Sequence, residues 1–327
     1  MKQEPNGAAP IETTALQRDS STARDSCLVS ILIGRVSTED GARILETLEA
    51  LRAQEAPFTH EVIVADRMRD ALSQRIRTEY PEIQLLPCPA DTSLPELRTR
   101  AFEKARGDYI VITEDHCVPP RNWLAALVEA FREAPIGTVA VGGLIDNGVC
   151  DTLLDRATFF CEYSAFAGSV RNGPARALPG MNVAYRRSAI AALNRATLAK
   201  GFWETTVHPI FLENGSILYL SDRIKILHKK KFSFRLFAVQ RFLYSRYYAG
   251  LRFRQDQLLS RWAMSGLTLV LPPLLLFRMT RNLVTKKSLI PDLIRALPYL
   301  TLFVIICAWG EFVGYVAGPG DALSRIE

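Results

Sequence analysis

The chain of 327 residues is 48% apolar and 23% charged, enough for one large globular domain with an appendage and too apolar for a mainly disordered protein. Six cysteines, at positions 27, 88, 117, 150, 161 and 307, form no CxxC pair, which argues against a zinc module or a disulfide scaffold and fits reduced thiols in a cytoplasmic compartment. The net charge of +6 is uneven: from Arg223 to Arg261, lysines and arginines face one acid, Asp256, and apolar segments follow, so the expected partner is a membrane surface and no nucleic acid.

Residues 1–26 are polar, rich in Ser, Thr, Ala and Pro, and lack the apolar run of a secretory signal; they are expected to be a disordered tail. Leu28–Ile33 reads as a first strand. Asp40–Gln54 places Ile44, Leu45, Leu48 and Leu51 at helical spacing. Glu61–Ala65 is a second strand ending at Asp66, Arg69–Glu79 a helix, and Gln84–Leu86 a short strand closed by Pro87 and Pro89. Pro95–Arg106 is helical, with Gly107 as its stop. The stretch from Tyr109 to Cys117, YIVITEDHC, is then a buried strand that ends in Glu114-Asp115-His116. Trp123–Glu133 is a further helix and Thr138–Ile145 a strand containing Gly142-Gly143. Pro179–Ala184 is a loop entering a strand, Gly201–Asn214 a loop and helix, and Ile217–Leu220 and Ile224–Leu227 are two short strands. Regular alternation of strand and helix predicts an α/β fold built on a doubly wound, mostly parallel sheet.

The last part of the chain changes character. Leu267–Phe277 is apolar, short and broken by Pro272-Pro273. Leu297–Ala317 carries Glu311 as its single charge and, at ~1.5 Å per residue, is long enough to cross a bilayer. Core helices are the alternative; the expected reading is a C-terminal membrane-associated helical segment. Arg278, Arg281, Lys286, Lys287 and Arg295 lie between the two stretches. The positive-inside rule keeps this link in the cytoplasm together with 223–261, and both demands cannot hold if both stretches cross. The expected resolution is that only Leu297–Ala317 crosses and the Pro-Pro stretch lies in the interface. Boundaries follow: 27–235 as the catalytic domain, 236–262 as an amphipathic basic interface region (Arg241, Phe242, Tyr244, Tyr247 and Tyr248 lying on the membrane), and 263–320 as hydrophobic anchoring helices.

Chemistry concentrates at the strand ends. Open α/β sheets bind ligands in the crevice at the carboxyl ends of their strands. Two acids and an imidazole at 114–116 can ligate a divalent cation, and a cation there can hold a diphosphate. Gly34 permits close backbone approach and Arg35 can meet a phosphate. Asp66 can accept from a base N–H or a ribose hydroxyl. His228, after a strand and before Lys229-Lys230-Lys231, either completes the metal or phosphate site or is a structural histidine.

The order VSILIGR, EVIVAD and LRTRAFEKARGDYIVITEDHCVPPRNWL resembles the family 2 glycosyltransferases, from residue 28 to about 250. That resemblance implies the GT-A fold and an inverting glycosyltransferase that uses a nucleotide-sugar donor, a UDP-sugar, with Mg²⁺ or Mn²⁺. It implies a glycan or lipid-linked acceptor in surface polysaccharide assembly, at the cytoplasmic face of the inner (plasma) membrane. Gly34, Arg35, Asp66, Arg98 and Asp115 fall on donor-binding positions. Glu114, Asp115 and His116 fall on the metal motif, where Glu114 and His116 replace the family's two aspartates, so the second ligand is either His116 or Asp115. Gly180 and Asn182 match an acceptor loop, and Glu204 matches the catalytic base, with Glu213 as the alternative. Gly34-Arg35-Val36-Ser37 departs from the family's first loop, and Thr99 replaces an asparagine. A nucleotidyltransferase or a non-catalytic polysaccharide-assembly protein of the same fold are the rival readings.

Overall fold

The computed structural model describes residues 28–36, 41–194, 197–198, 202–252 and 257–326; the 1–26 tail, Ser37 and Gly201 lie outside them. The strands are β1 (Val29–Arg35), β2 (His60–Asp66), β3 (Gln84–Pro87), β4 (Tyr109–Thr113), β5 (Cys117–Val118), β6 (Thr138–Asn147), β7 (Gly173–Ala175), β8 (Val183–Arg186) and β9 (Ile217–His228). The helices are α1 (Gly41–Arg52), α2 (Ala71–Glu79), α3 (Leu94–Lys104), α4 (Trp123–Glu133), α5 (Leu153–Tyr163), α6 (Arg187–Ala191), α7 (Glu204–Glu213), α8 (Phe234–Arg252), α9 (Leu258–Leu267), α10 (Leu271–Val284) and α11 (Ile290–Ala317).

One sheet runs in the order β3-β2-β1-β4-β8-β6-β9-β5, with β7 paired to β9. The four strands from β3 to β4 are parallel. β8 enters antiparallel between β4 and β6, and β9 returns parallel to β6. The sheet is therefore mostly parallel, as the alternation predicts, with an inserted antiparallel strand that alternation alone does not reveal. Every residue of β1 is buried, as a central strand covered on both faces requires. Ile31 and Ile33 pack with Ile44, Leu48 and Leu51 of α1 on one side. Leu32 packs with Leu97 and Ala101 of α3 on the other.

The two short strands expected at 217–227 are one strand. A register shift lies between Gly143 and Leu144 where β6 meets β9. Gly143 makes it possible, since a Cβ there would stand 1.9 Å from the Ile224 carbonyl oxygen. The strand continues to His228, where β5 zips antiparallel onto it and pairs Cys117 with His228.

The C-terminal helices are packed on this domain. Pro272 and Pro291 stand in the first turns of α10 and α11, so the Pro-Pro pair starts a helix rather than breaking one. α11 packs between α5 and α8. Within the 236–262 region, Arg241 of α8 pairs with Glu162 at 2.7 Å and the half-exposed Arg252 with Glu311 at 3.1 Å. Tyr244 and Tyr248 close on the Trp203 ring at 5.6 and 5.9 Å. Leu259–Val284 and Lys287–Ala317 are both long and apolar enough to cross a membrane by length and composition.

Candidate active site

Glu114 leaves the end of β4, where the parallel strands point into the crevice. His116 follows one turn later and is 8% exposed. The β5–β9 pairing brings His228 beside it, with the Lys229 amide donating to the His116 carbonyl at 2.9 Å. The two Nε2 atoms face each other at 3.1 Å, and His116 Nε2 lies 3.1 Å from Glu114 Oε2. One oxygen and two nitrogens thus converge, all within 4.8 Å of one another. Asp115 stands outside this set. Its Oδ1 holds His116 Nδ1 at 2.8 Å, which fixes the ring and turns Nε2 toward the cluster. In this geometry His116 faces the cluster and Asp115 orients it. Tyr163 OH is 3.4 Å from His228 Nε2.

Electrostatics follow from burial and pairing. Burial works against the Glu114 charge, but the His116 hydrogen bond and the charges of His116, Arg98 and His228 hold its carboxyl well below the ordinary range. Burial likewise opposes charge on His116, yet the hydrogen bonds to Asp115 and Glu114 outweigh it and raise its pKa. Burial and the neighbouring His116 push His228 well below the ordinary histidine value.

Arg98 on α3 links this cluster to a second carboxylate. Its Nη2 donates to Glu114 at 3.3 Å and its Nη1 to Glu204 at 3.1 Å, from a side chain 3% exposed. α3 is fixed for this by Glu96, whose carboxylate accepts the Ser93 amide at 2.8 Å at the helix start, and by Pro95 in the first turn. Glu204 opens α7, and Trp203 Nε1 donates to its Oε1 at 2.9 Å. Burial raises the Glu204 pKa, and Arg98 opposes without cancelling it. Gly180 allows the close fit, since a Cβ there would lie 2.6 and 2.7 Å from the two Glu204 oxygens. Glu213, the alternative base, is exposed at the far end of the same helix.

Glu114, His116, His228, Glu204 and Gly180 line one cleft of about 450 Å³. A larger hollow of about 770 Å³ lies beside α4 and β9, lined by Glu129, Glu133, Asp222 and Arg223 among others; the histidine–carboxylate cluster lies in the smaller cleft.

Four residues expected at a ligand have close partners within the protein. Arg35 is buried and gives its guanidinium to Asp66 at 3.2 Å and Asp70 at 2.5 Å. Burial disfavours its charge, while Asp70, Asp66 and Asp115 together raise its pKa above the ordinary arginine value. Asp66 also accepts from Ser73 Oγ at 2.5 Å and the Met68 amide at 2.9 Å. These two residues, expected to meet the donor, are engaged with each other at the ends of β1 and β2. Gly34 is required by packing, because a Cβ would lie 2.6 Å from Leu94 Cδ1 on α3. Asn182 is fully buried. It accepts from Trp123 Nε1 at 2.8 Å and donates to the Leu144 carbonyl at 2.7 Å, so its amide is engaged within the core. Sequence reasoning assigned no role to Trp203 as the donor that holds Glu204; its place before an acid at a helix start was the available signal.

Residues 37–193 match the family model described as Glycosyl transferase family 2. No curated protein matches the chain. Among solved structures, the mannosyltransferase PcManGT from Pyrobaculum calidifontis, in complex with GDP-Man and Mn²⁺, is similar over 92% of this chain and 91% of its own, with 15% identity and a TM-score of 0.50. The TarS 1–349 structure from S. aureus is similar over 89% and 92%, with 14% identity and a TM-score of 0.47. GalNAc-T7 with UDP, GalNAc and Mn²⁺ is similar over 64% of this chain, at 14% identity and a TM-score of 0.48, and this chain spans 45% of it.

Proposed function

We propose, from the match of residues 37–193 to the family 2 glycosyl transferase model and the mostly parallel sheet, an inverting transfer of a sugar from a UDP-sugar to a hydroxyl of a glycan or lipid-linked acceptor. The observation that carries this reading is the Arg98 bridge. One buried guanidinium joins Glu114, at the mouth of the cation cluster, to Glu204, a largely buried carboxylate with a raised pKa in the same cleft. An inverting displacement needs a base on one side of the anomeric carbon and charge neutralisation on the other.

Glu204 takes the proton of the acceptor hydroxyl as its oxygen attacks. Its apolar surroundings, with Phe202 and Trp203 both buried, favour a carboxylate that accepts a proton readily. Arg98 and Trp203 hold the two oxygens apart and in place. On the leaving side, Glu114, His116 and His228 would hold a divalent cation. One carboxylate and two imidazoles suit Mn²⁺ better than Mg²⁺. When bound, such an ion supplies positive charge for a departing diphosphate. Arg35 and Asp66 serve the donor end only if nucleotide displaces their mutual pairing; in the pairing described they shape the ends of β1 and β2. The apolar C-terminal helices support an acceptor at a membrane; the cytoplasmic face and polysaccharide assembly are part of the same proposal.

The test is nucleotide release from a panel of nucleotide sugars, with and without Mn²⁺, in the wild type and in Glu204→Gln. Mn²⁺-dependent UDP release, reduced ~10²–10⁴-fold in the variant, is expected. Release with no donor would leave a non-catalytic assembly protein, and pyrophosphate release from a nucleoside triphosphate would mark a nucleotidyltransferase.

A further inference from the structure

We propose that α9, α10 and α11 lie flat in one leaflet of an anionic bilayer, and that neither apolar stretch crosses it. This rests on the membrane reading above and fixes its geometry.

A crossing helix leaves its two ends on opposite faces of the bilayer. Both ends of α11 are held by the same folded domain. At its start, Asp292 pairs with Arg156 of α5 at 3.0 Å. Just before it, Lys286 Nζ donates to the Ser164 carbonyl at 3.1 Å, and Leu289 sits against Gly168. At its end, Arg246 of α8 donates to the Gly318 carbonyl at 3.1 Å, and Pro319 abuts Gly250. Between these points the contact is continuous. Phe303 meets Phe237 with ring centroids 4.5 Å apart. Gly310 and Gly314 let the helix approach the backbone carbonyls of Phe242 and Arg246 so closely that a Cβ would stand 2.5 and 2.4 Å from them. α8 therefore travels wherever α11 goes, and α8 carries Arg235, Arg241, Arg246 and Arg252. Taking those arginines through hydrocarbon is prohibitively unfavourable.

The opposite face is built for lipid. Leu259, Trp262, Leu269, Phe277, Ile305 and Trp309 are between 49% and 89% exposed. Charge is sorted as well. The two acids, Asp292 and Glu311, turn inward to Arg156 and Arg252. Arg278, Arg281, Lys287 and Arg295 are exposed, and among the described residues none pairs with a carboxylate. An apolar face rimmed by free cations complements the acyl boundary and phosphates of an anionic leaflet. The geometry also removes the topological conflict in the sequence, because the basic link and the basic stretch before it stay on one side.

The test uses the full chain in bacterial cells with Cys150→Ser, adding either Ser288→Cys in the link or Ser324→Cys in the tail; both serines are exposed. A membrane-impermeant maleimide is applied to intact spheroplasts and to inside-out vesicles, and labelling is read above the parent. The expected result is label at both positions in inside-out vesicles and none in spheroplasts. Label at Ser288→Cys from the outer face, with Ser324→Cys reached from the inner face, would overturn the in-plane geometry and leave the membrane reading intact. Flotation of the purified wild type with phosphatidylglycerol vesicles separates the two. It is expected to float at least tenfold better than with phosphatidylcholine alone, and failure to float with either would sink the membrane reading itself.

Discussion

Gly180→Ala is the most discriminating substitution, because its cost falls on chemistry rather than on the fold. The added methyl would lie 2.5 Å from Glu204 Cδ and 2.6 and 2.7 Å from its oxygens, distances that carbon and oxygen do not tolerate. The carboxylate is the end of a flexible side chain, so it can swing away without disturbing the backbone. In doing so it lengthens the bonds from Arg98 at 3.1 Å and Trp203 at 2.9 Å. Hydrogen bonds to a charged group are worth about 1.5–3 kcal/mol each. Partial loss of two gives a stability penalty of about 1–2 kcal/mol, a shift in Tm of a few degrees. A base displaced by about 1 Å loses on the order of 10²-fold in rate. The assay is steady-state nucleotide release with a thermal melt of the same preparation. The expectation is kcat reduced ~10²-fold, donor KM little changed and a folded protein. Gly266→Ala, with open space around its Cβ, is the control and should change neither. Full kcat in Gly180→Ala with a normal melt would refute the assignment of Glu204 as the base.

Arg98→Leu strands two largely buried carboxylates and should cost ~3–5 kcal/mol in urea unfolding, more than either acid's own replacement by its amide. Asp115→Asn leaves the cluster intact but loosens His116, so Mn²⁺ affinity measured by calorimetry should fall ~10–100-fold while the fold is retained; unchanged affinity would remove Asp115 from the site. Because the Glu204 pKa is raised and the base must be ionised, kcat/KM should fall as pH drops through a value above the ordinary carboxylate range, and Glu204→Gln should abolish that limb. His208 is buried with its pKa pushed down to about 4 from 6.5, so the unfolded chain binds a proton that the folded one refuses. Stability should therefore be full above pH 6.5 and fall by about 3 kcal/mol by pH 4, at ~1.4 kcal/mol per pH unit; His208→Gln should flatten that slope.

The parallel half of the sheet was legible because its signals are local. A run such as YIVIT, bounded by a glycine and a polar cluster, predicts both the strand and the site at its end. Glu114, His116 and Glu204 stand out in equally local patterns, and the structure places them along one cleft. The sequence leaves His228 open between the cation cluster and a structural role, because its position depends on β5 pairing with β9 across 112 residues. α5 is not among the predicted helices, although Leu153, Leu154, Ala157, Phe160 and Cys161 fall at helical spacing. Arg35 and Asn182 were assigned to ligands by residue type and position. Their partners, Asp70 and Ser73 for one and Trp123 for the other, are set by packing that a linear pattern does not encode. The C-terminal helices show the same limit in reverse. Hydropathy reports that α11 can cross a bilayer, while only its glycine contacts with α8 report what it packs against.

Anomalous diffraction at the manganese edge, from crystals soaked with Mn²⁺ and UDP, tests most directly whether the cleft holds an activated sugar's diphosphate. The expected result is a single strong peak bounded by Glu114 Oε2, His116 Nε2 and His228 Nε2, with the diphosphate against it and Glu204 on the far side of the cleft. A peak elsewhere, or nucleotide bound with no metal among these three side chains, would contradict it.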